Sequence, residues 1–401
     1  MSNTLKFGNG EWYGKEGTIL AYNDENNNYK PLPFTFDRDS VATRVNKQGL
    51  IETVGADQPR IDYLNDSNGA LLLEPSRTNS LLQSNQFDTT WTTANATETS
   101  GQIGIGGSSD AWKIDLVSAN GHIYQGASQT GVNTISVYAK AGTLNWMRLR
   151  VGTAPKNSRY FDLANGVIGL SGTTPLDAKI EAVGNGWYRC SMTTNISIDR
   201  VYFYPAQDDG DLTATSGNIY IQHAQLEVGS YATSIINTQG SAVTRLADSC
   251  NQTPPDGVIG QTEGTVFMDF KPQTLDGASR YLSIENSNSI SNGWMGVFAS
   301  LLSGTIRFRF YGDGWDFDTS LIIEKGTRYK IAFSYKNGVQ TSIYINGNLL
   351  NNITASLSGK SYQKIRLSEG AIGGRGDADF NDIKLYDTIK TDQELAALTQ
   401  V

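Results

Sequence analysis

The chain of 401 residues has few of the residue types on which several protein classes depend. It has two cysteines, Cys190 and Cys250, and two histidines, His122 and His223, so a scaffold held by several disulfides is excluded. No CxxC or HxxxH spacing supports a metal site built from these four residues, which read more simply as buried thiols and polar histidines. Charged residues make up 18% of the chain, the net charge is −8 and no basic run occurs, which argues against a nucleic acid partner.

Long apolar runs are missing as well. No stretch of about 18 apolar residues occurs, so we expect no membrane insertion by a helix. The first residues have no apolar segment of the kind that a secretory signal peptide needs. The chain is instead rich in glycine (42 residues) and tyrosine (19 residues), with an apolar fraction of 38%, which is typical of globular β proteins with many turns. Its length exceeds one ordinary core and predicts two or three domains.

Residues 33–82 combine strand and turn signals in one segment. Phe34 and Phe36 alternate with polar residues, as on a half-buried strand. Pro59 fixes an extended or turn conformation, and Asn68-Gly69 marks a turn ahead of an apolar run. These signals predict an extended segment interrupted by turns.

The same segment resembles a block that recurs in fibre, spike and tail proteins of tailed bacteriophages. The residues that carry the resemblance are Phe36, Arg38, Ser40, Ala42, Thr43, Asn46, Gly49, Ile51, Glu52, Pro59, Arg60, Asp62, Tyr63 and Leu72–Leu81. It implies a virion surface protein, made in the bacterial host cytoplasm, that forms a homotrimer and contacts other virion structural proteins. Residues 1–82 would then be an attachment and assembly segment.

Four arginines of this segment are candidates for pairing with acidic neighbours during assembly: Arg38, Arg44, Arg60 and Arg77. The residues alone leave a second possibility open. The segment is then simply the first strands of the adjacent sandwich.

Residues 83–247 read as short strands separated by glycine, asparagine and proline clusters, which predicts a β-sandwich. Alternation is clear in Thr134–Lys140 and in Trp146–Val151, where Trp146, Arg148 and Arg150 share one face. The phrases SVYAKAG, GNGWYRCSM and IYIQHAQLEVGSYATSII resemble carbohydrate-binding-module-like jelly rolls.

Residues 248–262, with prolines and glycines, are interpreted as a linker. Residues 263–401 predict a second β unit, with Asn346-Gly347 as the turn after the strand Thr341–Ile345. The unit should end in a short helix, because Thr391 and Glu394 have capping-box spacing. The phrases EGTVFMDF and YKIAFSYKNG, and the closing T..EL..L, resemble laminin-G/concanavalin A-like sandwiches.

Catalytic patterns are not found in the sequence. A glycoside hydrolase needs two carboxylates beside the scissile bond, and no E-x-D-x-x-E strand occurs. G-x-S-x-G and P-loop motifs are missing too. We therefore expect a protein that is not an enzyme, with a polysaccharide depolymerase as the alternative.

Sugar binding is the sharper hypothesis, because the apolar faces of pyranose rings stack on aromatic side chains while acids bind the hydroxyls. The candidate glycan contacts are Trp294, Tyr311, Asp313, Trp315, Asp316, Asp318, Tyr202 and Tyr204. No cofactor is expected apart from a possible Ca²⁺, for which the loop acids Asp208, Asp209 and Asp211 are the candidate ligands. The alternatives without a ligand are that the aromatic residues pack in the core and that the three loop acids form a solvated turn.

The sequence thus predicts an all-β chain, an N-terminal extended segment followed by two β-sandwich (jelly-roll) domains. The expected function is adhesion to a host cell-surface glycan. The alternative is a capsid-decorating or head-fibre protein without a ligand. Exposure of Trp294 and Trp315 would favour binding, and burial of both would favour the structural alternative.

Overall fold

The structure is a computed structural model that describes residues 4–8, 14–15, 18–23, 30–254, 256–273, 275, 279–286, 290–302, 305–369 and 375–401. Nearly all of its regular structure is strand, and the strands form β-sandwiches, so the predicted fold class is confirmed. Among the described residues, no helix is long and apolar enough to cross a membrane.

The strands of the first part of the chain are β1 (Thr4–Gly8), β2 (Gly14–Lys15), β3 (Thr18–Asn23), β4 (Lys30–Asp37), β5 (Ala42–Val45), β6 (Ile51–Val54), β7 (Arg60–Asp62), β8 (Ala70–Leu73) and β9 (Arg77–Asn79). The strands of the middle part are β10 (Thr92–Ala94), β11 (Ala96–Gln102), β12 (Ala111–Leu116), β13 (His122–Gln129), β14 (Asn133–Ala141), β15 (Trp146–Val151), β16 (Asn157–Asp162), β17 (Val167–Thr173), β18 (Asp177–Gly184), β19 (Trp187–Thr194), β20 (Ile198–Ala206), β21 (Asn218–Val228) and β22 (Val243–Arg245). The last part contains β23 (Ser249–Gln252), β24 (Glu263–Pro272), β25 (Arg280–Glu285), a 3₁₀ turn (Ile290–Asn292), β26 (Trp294–Leu302), β27 (Thr305–Gly312), β28 (Trp315–Ile322), β29 (Tyr329–Lys336), β30 (Gln340–Ile345), β31 (Asn348–Thr354), β32 (Lys364–Leu367), β33 (Ala378–Tyr386) and the helix α1 (Asp392–Leu398).

The chain divides into two compact units, and neither is continuous in sequence. Unit 1 contains Met1–Val41, Val54–Pro75 and Leu246–Val401. Unit 2 contains Ala42–Thr53 and Ser76–Arg245.

Unit 1 has two layers of antiparallel strands. One layer has the order β31-β30-β29-β24-β33-β1, and β8 and then β7 extend it where β33 passes beyond β1. The other layer has the order β4-β23-β32-β25-β26-β27-β28. Strand β3 is hydrogen-bonded to both β1 and β4. Because side chains alternate along a strand, every second residue of each layer enters the shared core, as Phe270 and Phe308 do at 5.9 Å between ring centroids.

The structure divides the chain differently from the boundaries predicted at 82/83 and 262/263. Strands β4, β7 and β8 belong to the sheets of unit 1, so they join the C-terminal sandwich and not the adjacent one that the sequence offered as the second possibility. The interpretation of 248–262 as a linker is wrong, because β23 pairs with both β4 and β32 and fully buries Cys250. Val258 and Ile259 also enter the core of unit 1. Gly257 lies in a turn with a positive φ of 85°.

Unit 2 is a sandwich of two six-stranded antiparallel sheets. Their orders are β10-β13-β20-β15-β16-β17 and β11-β12-β21-β14-β19-β18. Met147, Leu149 and Val151 of β15 are fully buried between the sheets, so the alternate positions of β15 lie on the outer face. This confirms the strand and the shared face that the sequence predicts for Trp146–Val151.

The predicted local signals at the end of the chain are also confirmed. Asn346 and Gly347 form the two-residue loop between β30 and β31, and both have positive φ (47° and 79°), as a type I′ turn requires. Thr391 caps α1 in a complete capping box with Glu394.

Candidate functional site

One outer sheet face of unit 1 carries a group of aromatic side chains beside an arginine. We call Arg280, Trp294, Phe298 and Tyr311 the tryptophan face. In β26, Met295, Val297 and Ala299 point into the core, so Trp294 and Phe298 lie on the opposite side. Between them, Gly296 has no side chain, and a Cβ there would lie 2.8 Å from the Phe298 ring.

The rings of the tryptophan face are in direct contact. The centroid of Trp294 lies 4.4 Å from that of Tyr311 and 5.3 Å from that of Phe298. The guanidinium carbon of Arg280 lies 5.3 Å from the Trp294 centroid and 5.1 Å from the Phe298 centroid. Burial lowers the pKa of Arg280, since removal from water disfavours its charge.

Two donors of this face are buried without a hydrogen-bond partner among the described residues: Trp294 Nε1 and Arg280 Nη1. Buried polar atoms in folded proteins nearly always have a partner in protein, water or ligand. Trp294 itself is only 9% exposed, however, so it offers little ring surface to a ligand.

Of the predicted aromatic contacts in unit 1, the structure brings Trp294 and Tyr311 together and separates Trp315 from them. Trp315 packs in the core of unit 1, 5.6 Å from Phe333 between ring centroids, and is 7% exposed. Register explains this placement, because Trp315 lies opposite Gly312, where any side chain would collide with the indole. The prediction of Trp315 as an exposed glycan contact is therefore wrong.

The predicted acids of this region have protein partners. Asp313 accepts hydrogen bonds from the Trp294 amide (3.1 Å) and the Tyr362 hydroxyl (2.6 Å), and it pairs with Lys360 at 3.0 Å. Asp316 forms a two-pronged ion pair with Arg309, at 2.8 and 2.6 Å.

Asp318 lies opposite Arg309 in the register of β27 and β28. Its Oδ1 is buried without a hydrogen-bond partner among the described residues.

A second group lies on the outer face of one sheet of unit 2. We call His122, Tyr124, Arg148, Arg150, Tyr160, Tyr202 and Tyr204 the tyrosine–arginine face. The register of β15 with β20 sets Arg148 opposite Tyr204 and Arg150 opposite Tyr202, and that of β13 with β20 sets Tyr124 opposite Tyr202. Side chains directly opposite each other in an antiparallel pair are close enough to interact.

The distances show a continuous layer of rings and guanidinium groups. The guanidinium carbon of Arg150 lies 4.5 Å from the Tyr202 centroid. That of Arg148 lies 5.4 Å from Tyr204 and 5.7 Å from Tyr160. The Tyr202 and Tyr204 rings are stacked at 6.0 Å.

His122 also belongs to this layer, where its ring contacts two of the tyrosines. Its ring centroid lies 4.5 Å from that of Tyr204 and 5.7 Å from that of Tyr124. Burial lowers the pKa of His122 below its ordinary value of 6.5, and the charge of Arg150 lowers it further. The imidazole is therefore neutral at pH 7, and the arginines carry the positive charge of the face.

The sequence identified Tyr202 and Tyr204 but did not join them to Arg148 and Arg150. The signal was present, because alternation had already placed both arginines on one face of their strand. The pairing of β15 with β20 joins residues more than 50 positions apart, and only the fold supplies that register.

The loop acids proposed as calcium ligands each accept hydrogen bonds from a different residue. Asp208 accepts from the Asp209 amide, Asp209 accepts from the Leu170 amide at 2.7 Å, and Asp211 accepts from Thr213. Within the described ranges, no group of three or more His, Cys, Asp or Glu side chains is placed to hold a metal ion. Calcium at this loop stays a prediction without support from the geometry.

The four arginines of the N-terminal block all meet carboxylates of their own chain. Arg38 and Arg60 are fully buried in unit 1 and both contact Asp248, at 3.0 Å for Arg38, while Arg60 also meets Glu74 at 2.6 Å. These buried pairs hold β7 and the turn before β23 together.

The remaining two arginines belong to unit 2. Arg44 pairs with Glu52 at 2.6 Å, and Arg77 lies 4.0 Å from Glu227. The role of all four arginines in assembly stays a prediction.

Fold and surfaces together define a protein of two β-sandwich units, each with an aromatic outer sheet face. No family model matches the chain, and no curated protein matches it. Solved structures similar to parts of the chain include the CBM40 of the Ruminococcus gnavus IT-sialidase, with 14% identity and a TM-score of 0.32. That match covers 38% of this chain and 91% of the other.

Two further similar structures come from other organisms. Domain 4 of a GH43 extracellular arabinanase from Geobacillus stearothermophilus, in complex with arabinotriose, matches at 15% identity over 43% of this chain and 83% of that chain, with a TM-score of 0.30. Botulinum neurotoxin type C, whose cell entry depends on two ganglioside molecules, matches at 10% identity over 38% and 39%, with a TM-score of 0.30. At such identities and TM-scores the likeness concerns β-sandwich architecture and carries no argument about function.

Proposed function

We propose that this chain is a non-enzymatic fibre or spike protein on the virion surface of a tailed bacteriophage, and that it binds host cell-surface glycan. The observation that carries the glycan-binding part is the tyrosine–arginine face, where four tyrosine rings and two arginines form one layer on an outer sheet surface. The virion part is supported by the resemblance of the block from Phe36 to Leu81 to bacteriophage fibre, spike and tail proteins.

The chemistry of this face suits a saccharide. The apolar CH faces of a sugar ring stack on tyrosine, and guanidinium and hydroxyl groups donate to its oxygens. Tyr124 and both arginines are partly exposed, so they are the accessible part of the layer. A single shallow site of this kind binds weakly, and several copies on one particle, such as the homotrimer that the resemblance implies, would raise the avidity.

A glycan array probed with the full chain tests the proposal. The full chain is used because unit 2, which carries this face, is itself built from two separate segments of the sequence, Ala42–Thr53 and Ser76–Arg245. Tyr124→Ala removes a ring and should weaken binding about three- to tenfold, while Tyr124→Phe keeps the ring and should bind nearly as well as the native chain. Equal binding by the native chain and Tyr124→Ala would argue against stacking at this face.

The second candidate is a capsid-decorating or head-fibre protein without a specific ligand. One observation favours it: Trp294 and Trp315 are both buried, so the tryptophans serve packing more than contact. Under this hypothesis the array shows no retained glycan, and substitution at Tyr124 changes stability alone.

A further inference from the structure

The two arginines of the tyrosine–arginine face carry charges that no acid of the described chain neutralises by an ion pair. Arg148 Nη2 donates to Ser158 Oγ at 3.2 Å, and Arg150 Nη1 donates to the Tyr204 hydroxyl at 3.2 Å. The Nε atoms of both arginines are buried without a hydrogen-bond partner among the described residues. Elsewhere in unit 2, Arg44 and Lys113 have close carboxylate partners at 2.6 and 2.9 Å.

The nearest acids are engaged elsewhere. Asp199 Oδ1 accepts from the Thr153 amide at 2.7 Å, and Asp209 Oδ1 accepts from the Leu170 amide at 2.7 Å. Asp211 Oδ1 accepts from both the amide and the hydroxyl of Thr213. These acids keep their charges, but none of them forms an ion pair with Arg148 or Arg150, so both guanidinium groups are left to pair with an anion from outside the chain.

The rings fix the arginines in place. Arg148 lies near both the Tyr160 and Tyr204 rings, and Arg150 lies close to Tyr202, so both guanidinium groups are held by cation–π contacts. As alternate residues of one strand, they are spaced about 7 Å apart along β15. A fixed guanidinium presents a planar fork of donors that matches carboxylate and phosphate oxygens.

The size of the patch indicates what kind of anion it suits. Nucleic acid binding needs a row of Lys and Arg that follows many phosphates. Arg148 and Arg150 among tyrosine rings, with the exposed Arg200 beside them at 5.3 Å from the Tyr124 centroid, instead suit one acidic group attached to an apolar ring. A sugar with an acidic substituent has this combination.

We infer that the tyrosine–arginine face selects an acidic saccharide, in which a carboxylate or phosphate on the sugar binds Arg148 and Arg150 while the sugar ring stacks on Tyr124, the partly exposed tyrosine of the face. This inference rests on the proposed glycan-binding function and adds the class of glycan. It predicts discrimination between two sugars of the same shape that differ only in charge.

The test is an array in which each acidic oligosaccharide is printed beside its neutral counterpart. Uronic and sialic acid oligosaccharides stand beside their methyl esters, and sugar phosphates stand beside the dephosphorylated sugars. The full chain should retain the charged member of a pair at least about tenfold more tightly, because each lost charge-assisted hydrogen bond weakens binding by about that factor. Whether the chain retains the carboxylated sugars or the sugar phosphates shows which acidic group the face binds.

Three variants at the face and one control away from it link the selectivity to the face. Arg148→Gln and Arg150→Gln should each reduce the preference for the charged sugar, and Arg150→Lys should keep the salt dependence while binding more weakly. Lys113→Gln removes the same charge from the other sheet of unit 2 and should bind as the native chain does. Thermal unfolding of each variant separates loss of folding from loss of binding.

The outcomes are distinct. Equal retention of charged and neutral partners, with Tyr124→Ala still weakening binding, overturns the acidic preference and leaves the glycan-binding function standing. Charged retention that survives in folded Arg148→Gln and Arg150→Gln also overturns the inference, because it removes Arg148 and Arg150 as the groups that bind the acid. Failure to retain any saccharide overturns both the function and the inference.

Discussion

Asp379 lies buried in β33 of unit 1, close to other acids. We expect its carboxyl group to make unit 1 less stable as the pH rises. Burial and the charge of Asp62 together raise the pKa of Asp379 to about 7. Hydrogen bonds from Gln273 (2.9 Å) and Asn65 (3.5 Å) to its Oδ2 offset only part of this effect.

The perturbation is Asp379→Asn, which has the same shape and no charge. The native state holds a proton on Asp379 between pH 3.8, its ordinary pKa, and about pH 7, whereas the unfolded chain releases it. Stability from this group is therefore complete at low pH and is lost as the pH rises through this window, by about 4 kcal/mol in total. Because Asn never ionises, the variant should exceed the native chain in stability by a few kcal/mol at pH 8 and nearly equal it at pH 4.

The assay is native-state hydrogen exchange, with peptides from β24 and β33 followed between pH 4 and pH 8 after correction for intrinsic exchange rates. Asp62→Asn is a second variant. With Asp62 neutral, the pKa of Asp379 falls, so the loss of stability should end at a lower pH and its total should become smaller. If the native chain and Asp379→Asn lose stability with the same slope, the assignment of the slope to Asp379 is refuted.

Three other predictions concern stability. Asp248→Asn should cost about 3 kcal/mol or more, because it leaves the buried Arg38 and Arg60 without their shared carboxylate; urea unfolding measures the loss. Burial lowers the pKa of His223 to about 4, so as the pH falls from 6.5 to 4 the unfolded chain binds a proton that the folded chain does not, and the native chain loses up to about 3 kcal/mol of stability. His223→Asn should abolish this loss, and Asn tolerates the positive φ of 49° at this position. Thr391→Ala should destabilise α1 by about 1 kcal/mol, read by hydrogen exchange at the helix.

Each of these has a clear contrary result. An Asp248→Asn chain as stable as the native one would mean that the buried charges are compensated elsewhere. A pH slope unchanged in His223→Asn would place the acid-sensitive group at another residue. Unaltered exchange in α1 after Thr391→Ala would show that packing of Leu395, which is fully buried, holds the helix without its cap.

Much of the architecture was predictable because its signals are local. Alternation located β15, the Asn346-Gly347 pair located a hairpin turn, and Thr391 located the start of the helix. The linker prediction failed because proline and glycine mark turns equally well inside a sandwich and between domains. The four residues of β23 carry too little pattern to show that they pair with β4 and β32.

The candidate site shows the same limit. Composition and spacing were enough to select Trp294, Tyr311, Tyr202 and Tyr204 as aromatic candidates. They were not enough to tell which face of its strand each ring occupies, and Trp315 entered the core because Gly312 lies opposite it.

The sequence by itself determined that this protein is all-β, since periodicity and turn residues act over a few positions of the chain. Only the tertiary structure decided that strands from both ends of the sequence build one unit and that Arg148 and Arg150 meet Tyr204 and Tyr202. The physical reason is that strand register joins residues far apart in sequence, and a shift of one residue would move every side chain to the other face.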